Sequence, residues 1–381
     1  MKGTKNRHLW RLWILGVLAS QVIACTSVKK EQVEPPQYQT NAAEETVEVS
    51  KISDGNYAYE NLKQEEQQVY DEMLTAILSH QEKIMLSSMD IEVMRKAYTA
   101  VCADYGGLFW IDGYVFTKYM QGDEMVGLEF APNYTMTEEE REQTQQQIDQ
   151  VVEQWLGNIS VNDSNYDKVK YIYELLSTNT EYVEGAQNSQ NIISVFLNGQ
   201  TVCQGYACAA QYLMKQLGIQ SVIVSGTALG DAHAWNLFQM NGAYYYMDAT
   251  WGRGKYVEDT VEKYFIDYKY MAMTTEEMLR SHLPDGELNL PECTAVADNY
   301  YRKEGAYIEE WNPEVIGAYF AKAYEEKQIV TVRFANRQLY DEAIKYFLED
   351  GNVSEYCPDV QEINYITEDD WLEISFYFSE E

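Results

Sequence analysis

Val202-Cys203-Gln204-Gly205-Tyr206-Ala207, then Ala232-His233-Ala234-Trp235-Asn236-Leu237-Phe238-Gln239-Met240, then Asn241-Gly242, then Ala243-Tyr244-Tyr245-Tyr246-Met247-Asp248-Ala249-Thr250-Trp251: this stretch decides the fold. Asn-Gly between two alternating runs is a strong two-residue hairpin signal. With a type I′ loop at Asn241-Gly242, Trp235 is expected opposite Asp248 and His233 opposite Thr250, all four on one face. His233 and Asp248 are then diagonal neighbours, roughly 7–8 Å between backbones and within side-chain reach. An Asp so placed accepts an imidazole N–H, fixes the tautomer and raises the ring's basicity.

Upstream, Asn198-Gly199 makes a turn, and Cys203 stands where an extended approach becomes a helix running to Leu217. Ala210, Leu213, Met214 and Leu217 mark its buried face, and Gly218 closes it. Residues 219 to 225 read as a strand. A thiol at a helix N-terminus feels the positive end of the dipole, which favours thiolate. Its own backbone N–H is among the unpaired donors there and can help hold an oxyanion. A thiol, an imidazole and a carboxylate in the order Cys203, His233, Asp248 provide the groups for cysteine-based acyl transfer. Of His80, His233 and His282 beyond the leader, only His233 is expected beside an Asp-bearing strand. Cys208, about 140° around the helix from Cys203, reads as packing. A zinc site from Cys203, Cys208, His233 and Asp248 is disfavoured because the two thiols point to different faces. No metal or cofactor is expected.

Together, Cys203-Gln204-Gly205-Tyr206-Ala207, His233-Ala234-Trp235-Asn236 and Asp248-Ala249-Thr250-Trp251 resemble the three signature blocks of the transglutaminase-like superfamily, over roughly residues 165 to 255. The resemblance implies an α+β, papain-like core in which a Cys-bearing helix packs on an antiparallel sheet carrying His and Asp. It implies Cys203 as nucleophile, His233 as base and later acid, and Asp248 as orienting carboxylate. It also implies an upstream side chain as second oxyanion donor, with Gln190, Gln200 and Tyr182 as candidates. The expected chemistry is cleavage or transfer of peptide or amide bonds through a Cys thioester, with protease or amidase favoured over transglutaminase. The alternative is a catalytically silent binding or scaffold module of the same fold.

The N-terminus reads as a targeting segment. Lys2, Lys5, Arg7 and Arg11 precede an apolar run from Leu12 to Ala24, too short for a confident span. It ends Val22-Ile23-Ala24-Cys25, which resembles a bacterial lipobox and implies lipidation of Cys25 with palmitate-type chains. Residues 26 to about 55, with Pro35-Pro36 and no period, read as a tether. The expected location is the extracytoplasmic face of the cell membrane, lipid-anchored, and the remainder of the chain resembles bacterial surface lipoproteins. The chain carries 61 acidic and 28 basic residues among 381, a formal charge of -33. That excludes a nucleic-acid partner, since phosphate neutralisation needs clustered Lys and Arg. The expected partners are a protein or peptide substrate, such as a cell-wall peptide, and the membrane through the Cys25 anchor. Beyond Cys25 there are five cysteines, Cys102, Cys203, Cys208, Cys293 and Cys357, and an odd number leaves at least one thiol free.

The divisions expected are 1–24 signal peptide, 25–55 tether, 56–160 N-terminal α+β region, 161–300 transglutaminase-like domain and 301–381 C-terminal α/β module. The N-terminal flank reads as mainly helical, with helices over Leu62–Leu78, Asp90–Val101 and from Thr137 to Leu156, the last opened by a Thr137/Glu140 capping box. Residues 108 to 130 alternate, and Asp112-Gly113 and Gln121-Gly122 suggest short hairpins. A helix is expected from Asp167 to Leu176. Little period is visible from 256 to 311. After it come a helix from Pro313 to Tyr324, a strand from Ile329 to Phe334, a helix from Leu339 to Leu348, and a hairpin of Ile363–Ile366 with Trp371–Phe378.

Overall fold

The computed structural model describes residues 53, 55–160, 162–258, 261–357 and 363–377, with the short pieces 4–5 and 29–31. Cys25, the apolar run before it and most of the tether lie outside the described residues. Among the described residues no helix is long and apolar enough to cross a membrane. The fold is α+β. The chain divides into two compact units, one of Gly16–Gly252 with Met273–Ala295, the other of Met1–Leu15, Arg253–Ala272 and Val296–Glu381.

The larger unit is built around an antiparallel sheet in the order Ala243–Met247, Asp231–Met240, Ser221–Ala228, His282–Pro284. Asn241 and Gly242 have φ of 53° and 83°, as a type I′ turn requires. The ladder runs from Ala243↔Met240 to Met247↔Asn236, in the expected register. It then stops. Asp248 caps a 3-10 turn over Ala249–Trp251, its Oδ1 accepting the Thr250 N–H at 2.9 Å, so Thr250 does not pair with His233. The cap bends the chain where the same register would otherwise run on to Thr250↔His233.

The helix Cys203–Gln216 lies against the strands Ser221–Ala228 and Asp231–Met240. Ala209, Ala210, Leu213 and Met214 are fully buried, while Leu217 is its half-buried cap. Burying the Leu and Met side chains contributes about 1.5–3 kcal/mol each. The run of alanines lets the helix approach the sheet closely enough for a polar clamp. Buried Asn236 donates from Nδ2 to the Ala207 carbonyl at 3.0 Å. A second clamp holds the helix from behind. Gln211 donates to the Asp104 carbonyl at 2.6 Å and accepts the Gly106 N–H at 2.9 Å, tying it to the end of the helix Ile91–Asp104.

N-terminal to this, the helix Gln64–Leu78 buries Val69, Tyr70, Met73, Leu74 and Ile77, as its spacing dictates. The helix Glu138–Leu156 opens on the Thr137/Glu140 capping box. The alternating region is one long hairpin, Ile111–Gln121 with Glu124–Tyr134, rather than several short ones. Asp112-Gly113 falls at a register shift between Ile111 and Tyr114, so this pair makes a bulge in place of a turn.

In the smaller unit, Arg253–Glu258 and Val261–Ile266 form a hairpin in a stretch where the sequence shows little period. Its main sheet runs Asn364–Glu368, Glu373–Tyr377, Val330–Phe334, Tyr307–Ile308, with Thr4–Lys5 alongside Asn364–Tyr365. The helix Pro313–Glu326 contributes Ile316, Phe320 and Ala323 to a core with Val332, Phe334, Ile374 and Phe376. The helix expected from Leu339 is Arg337–Ala343, widening into a π turn over Ile344–Glu349.

One glycine sets the spacing of the main sheet. Gly226 lies between His233 on one neighbouring strand and Pro284 on the other. A Cβ there would sit 2.2 Å from the Leu283 carbonyl oxygen and 2.9 Å from both Pro284 Cα and the Trp235 ring. Gly226→Ala should therefore push the edge strand His282–Pro284 outward and destabilise the fold by about 1–3 kcal/mol. A urea midpoint equal to that of the unmodified chain would show that the edge strand has slack to give.

Candidate active site

Cys203 is the first residue of its helix, and its approach is extended, with Val202 at φ -116° and ψ -177°. Val202, the N-cap residue, gives this helix no side-chain cap, so its first N–H groups draw no bond from that position. Cys203 is half-buried, whereas Cys208, Cys293 and Cys357 are buried, and none of the described cysteines is in a disulfide. Cys208 packs inward, its sulfur 3.3 Å from Gln204 Nε2. Burial pushes the Cys208 thiol up to about 12.

The His233 ring donates from Nε2 to Asp248 Oδ2 at 2.9 Å. Its side chain also hydrogen-bonds to Cys203, and with Nε2 engaged that bond falls to Nδ1. The structure thus brings together all three residues singled out in the sequence, from a helix start, a central strand and a cap. Burial alone would lower the His233 pKa, but the Asp248 charge and hydrogen bond, with Cys203, outweigh it and lift it from 6.5 to about 10. Burial would raise the Asp248 carboxyl, yet His233 and then His282 hold it well below the ordinary carboxylate range. Asp231, the other acid near His233 in sequence, is exposed at the start of the strand.

The expectation that only one histidine lies beside the Asp-bearing strand is corrected here. His282, on the edge strand, donates from Nε2 to the same Asp248 Oδ2 at 3.2 Å. His scarcity was the available signal. The pairing of His282–Pro284 with Ser221–Ala228, across more than fifty residues, has no local signature. Two indoles enclose the group: Trp251 lies 5.4 Å from the His233 ring and 4.7 Å from His282, and Trp235 lies 4.9 Å from His282.

His233, Asp248 and His282 are also where a metal could be ligated, their donor atoms all within 4.8 Å of one another. With both rings protonated at Nε2, the two imidazoles donate to one carboxylate oxygen. The arrangement reads as a hydrogen-bond cluster.

Among the second-donor candidates, Tyr182 lies on the short strand Glu181–Tyr182, which pairs with Gln200–Thr201 just before the Cys203 helix. Burial, then the charges of Cys203, Glu184, Asp248 and Asp231, push its phenol up to about 12. Gln200 donates to Glu181 at 3.4 Å, and its side chain is exposed.

Residues 153–249 match the model of the Transglutaminase-like superfamily. These residues form a transglutaminase-like domain. The chain is 27% identical over 143 residues to mouse "Kyphoscoliosis peptidase", covering 32% of this chain and 22% of that one. The protein thus spans about a fifth of that relative's length. Among solved structures it is similar to a TGase, with 17% identity over 37% of this chain and 44% of that one and a TM-score of 0.27. It is also similar to a Cytophaga hutchinsonii protein assigned to the cysteine proteases, with 17% identity over 35% and 61% of the two chains and a TM-score of 0.25.

The His233–Asp248 pair makes stability depend on pH in a defined sense. The depressed Asp248 carboxyl contributes above its unfolded value of 3.8 and loses that contribution as pH falls through its folded value. The raised His233 contributes fully below 6.5 and loses its share as pH rises towards about 10. The penalty of Asp248→Asn, read by urea denaturation, should therefore peak at about pH 5–6 and shrink steadily towards pH 10. A penalty that is flat with pH would mean the two charges are not paired.

Proposed function

We propose that this protein is a cell-surface lipoprotein whose transglutaminase-like domain hydrolyses peptide or carboxamide bonds at a Cys203–His233–Asp248 centre. The observation that carries the reading is that one ring of His233 bridges a buried carboxylate and a thiol at an uncapped helix N-terminus. An imidazolium beside a thiol favours the thiolate. The Cys203 sulfur attacks the carbonyl carbon, forming the C–S bond, while the carbonyl oxygen becomes an oxyanion. The donors proposed for that charge are the Cys203 N–H and, among Gln190, Gln200 and Tyr182, the Tyr182 hydroxyl, whose phenol feels the Cys203 charge. His233 gives its Nδ1 proton to the departing nitrogen, the C–N bond breaks, and a thioester remains. Neutral His233 then takes a proton from water, whose oxygen displaces the sulfur and leaves a carboxylate. An amine in place of water would give transamidation. Hydrolysis is favoured here, in keeping with the peptidase name of the mouse relative. Cys25 supplies the lipid anchor on the extracytoplasmic face, and a protein or cell-wall peptide is the substrate class.

Asp248→Asn should keep the fold and lower thioester formation with a peptide-amide library by about 10²–10⁴-fold, because an amide can donate to His233 and select the wrong tautomer. Exposed Asp231→Asn should change it little. Harm from Asp231→Asn with none from Asp248→Asn would sink the triad assignment. Cys25→Ser should leave the precursor without lipid and free of the membrane fraction. Undiminished membrane association in that variant would mean that another anchor exists.

A further inference from the structure

His282 takes no part in the steps above, yet its ring is buried and oriented from every side. Its Nε2 lies 3.2 Å from Asp248 Oδ2 and its Nδ1 2.9 Å from Ser281 Oγ. In the neutral ring the Ser281 hydroxyl donates to Nδ1, and Nε2–H donates to the carboxylate. The ring packs against Trp235, Trp251 and His233, with centroids 4.9, 4.7 and 5.4 Å away. The sheet makes this meeting possible. His233 pairs with Gly226 and His282 with Ala228, and residues 226 and 228 share a face. Only a glycine and an alanine stand between the two imidazoles, so both reach over the intervening strand.

The consequence falls on Asp248. Oδ2 receives both imidazole N–H groups and Oδ1 receives the Thr250 N–H. The carboxylate cannot rotate without breaking one of these bonds. A second donor on Oδ2 also draws negative charge away from the His233 imidazolium.

We propose that His282 is a positioning residue of the reactive centre: it clamps Asp248 and sets the pH at which His233 gives up its proton. This rests on the Cys203–His233–Asp248 reading. Other titratable groups near the pair are the Cys203 thiol from the helix and Tyr182 from its short strand, with Asp231 and Glu184 beyond Tyr182. None of these donates to Asp248 in place of His282.

The test needs no substrate. In the full chain, the alkylation rate of Cys203 by iodoacetamide is followed against pH, with the labelled residue located by peptide mapping. Loss of the His233 imidazolium should appear as an upper limb. His282→Phe removes the donor, leaves more charge on Oδ2 and stabilises the imidazolium. That limb should move up by roughly half to one pH unit, and the plateau rate should fall severalfold. His282→Gln, whose amide can donate, should return most of both. Ser281→Ala removes a half-buried hydroxyl that polarises the His282 ring, so it should shift the limb in the same direction by less. If His282→Phe does not fold, Ser281→Ala and His282→Gln decide the matter. An unmoved limb, or a Gln variant as impaired as the Phe variant, overturns the proposal. His233→Ala separates the two levels. If it leaves rate and profile unchanged, the triad reading itself fails; if it abolishes the profile while the His282 and Ser281 variants do nothing, only the role of His282 fails.

Discussion

A single buried carboxylate organises the centre of this protein. Asp248 is 1% exposed and ionised. A charge taken that far from water is tolerated only when its oxygens are filled by donors. Three donors fill them, from three places in the chain: His233, His282 and the Thr250 backbone. Each can arrive only if the sheet has its observed order. The demand of one charge therefore reaches out to the register of the hairpin, the edge strand and the 3-10 turn.

The thiol is brought to this charge by different means. The Cys203 helix is held flat on the sheet by small residues and by Asn236, which spends its buried amide on the Ala207 carbonyl. Gln211 holds the same helix from the opposite direction, through Gly106 and Asp104. Both are neutral, buried bonds of the kind that specify one packing because the alternative leaves polar groups bare. Asp104 itself accepts the N–H groups of Ala58 and Tyr59 and the Tyr70 hydroxyl. The N-terminal helices are thus fastened to the back of the helix that presents the thiol.

The smaller unit solves its own burial problem with paired charge. Lys269 is 4% exposed and meets Asp267 at 3.0 Å and Glu368 at 2.5 Å, while Arg333 donates to Glu373 at 2.8 Å. Asp267 is nonetheless raised to about 6, by burial first and then by Glu373 and Glu368, against the pull of Lys269. Such networks stabilise little relative to apolar packing but penalise any arrangement that separates the partners.

Much of this was legible in the residues. Asn241-Gly242 determined the hairpin and its register, and the apolar spacing determined the Cys203 helix and the helices before it, because turn chemistry and periodicity act over a few residues. The three site residues could be named for the same reason: each lies within or beside a local element. His282 could not. Its place depends on an edge strand that joins the sheet more than fifty residues after its partner, in a stretch without period, and through a glycine whose importance shows only once two strands close on it. The hairpin's early end at Met247 and the Asp112-Gly113 bulge were hidden likewise, since a carboxylate that can cap a turn and a Gly that can bend a strand each have two local uses. Sequence determined which groups could react. Tertiary packing decided how many donors the carboxylate would have, because that number depends on which distant strands share its face.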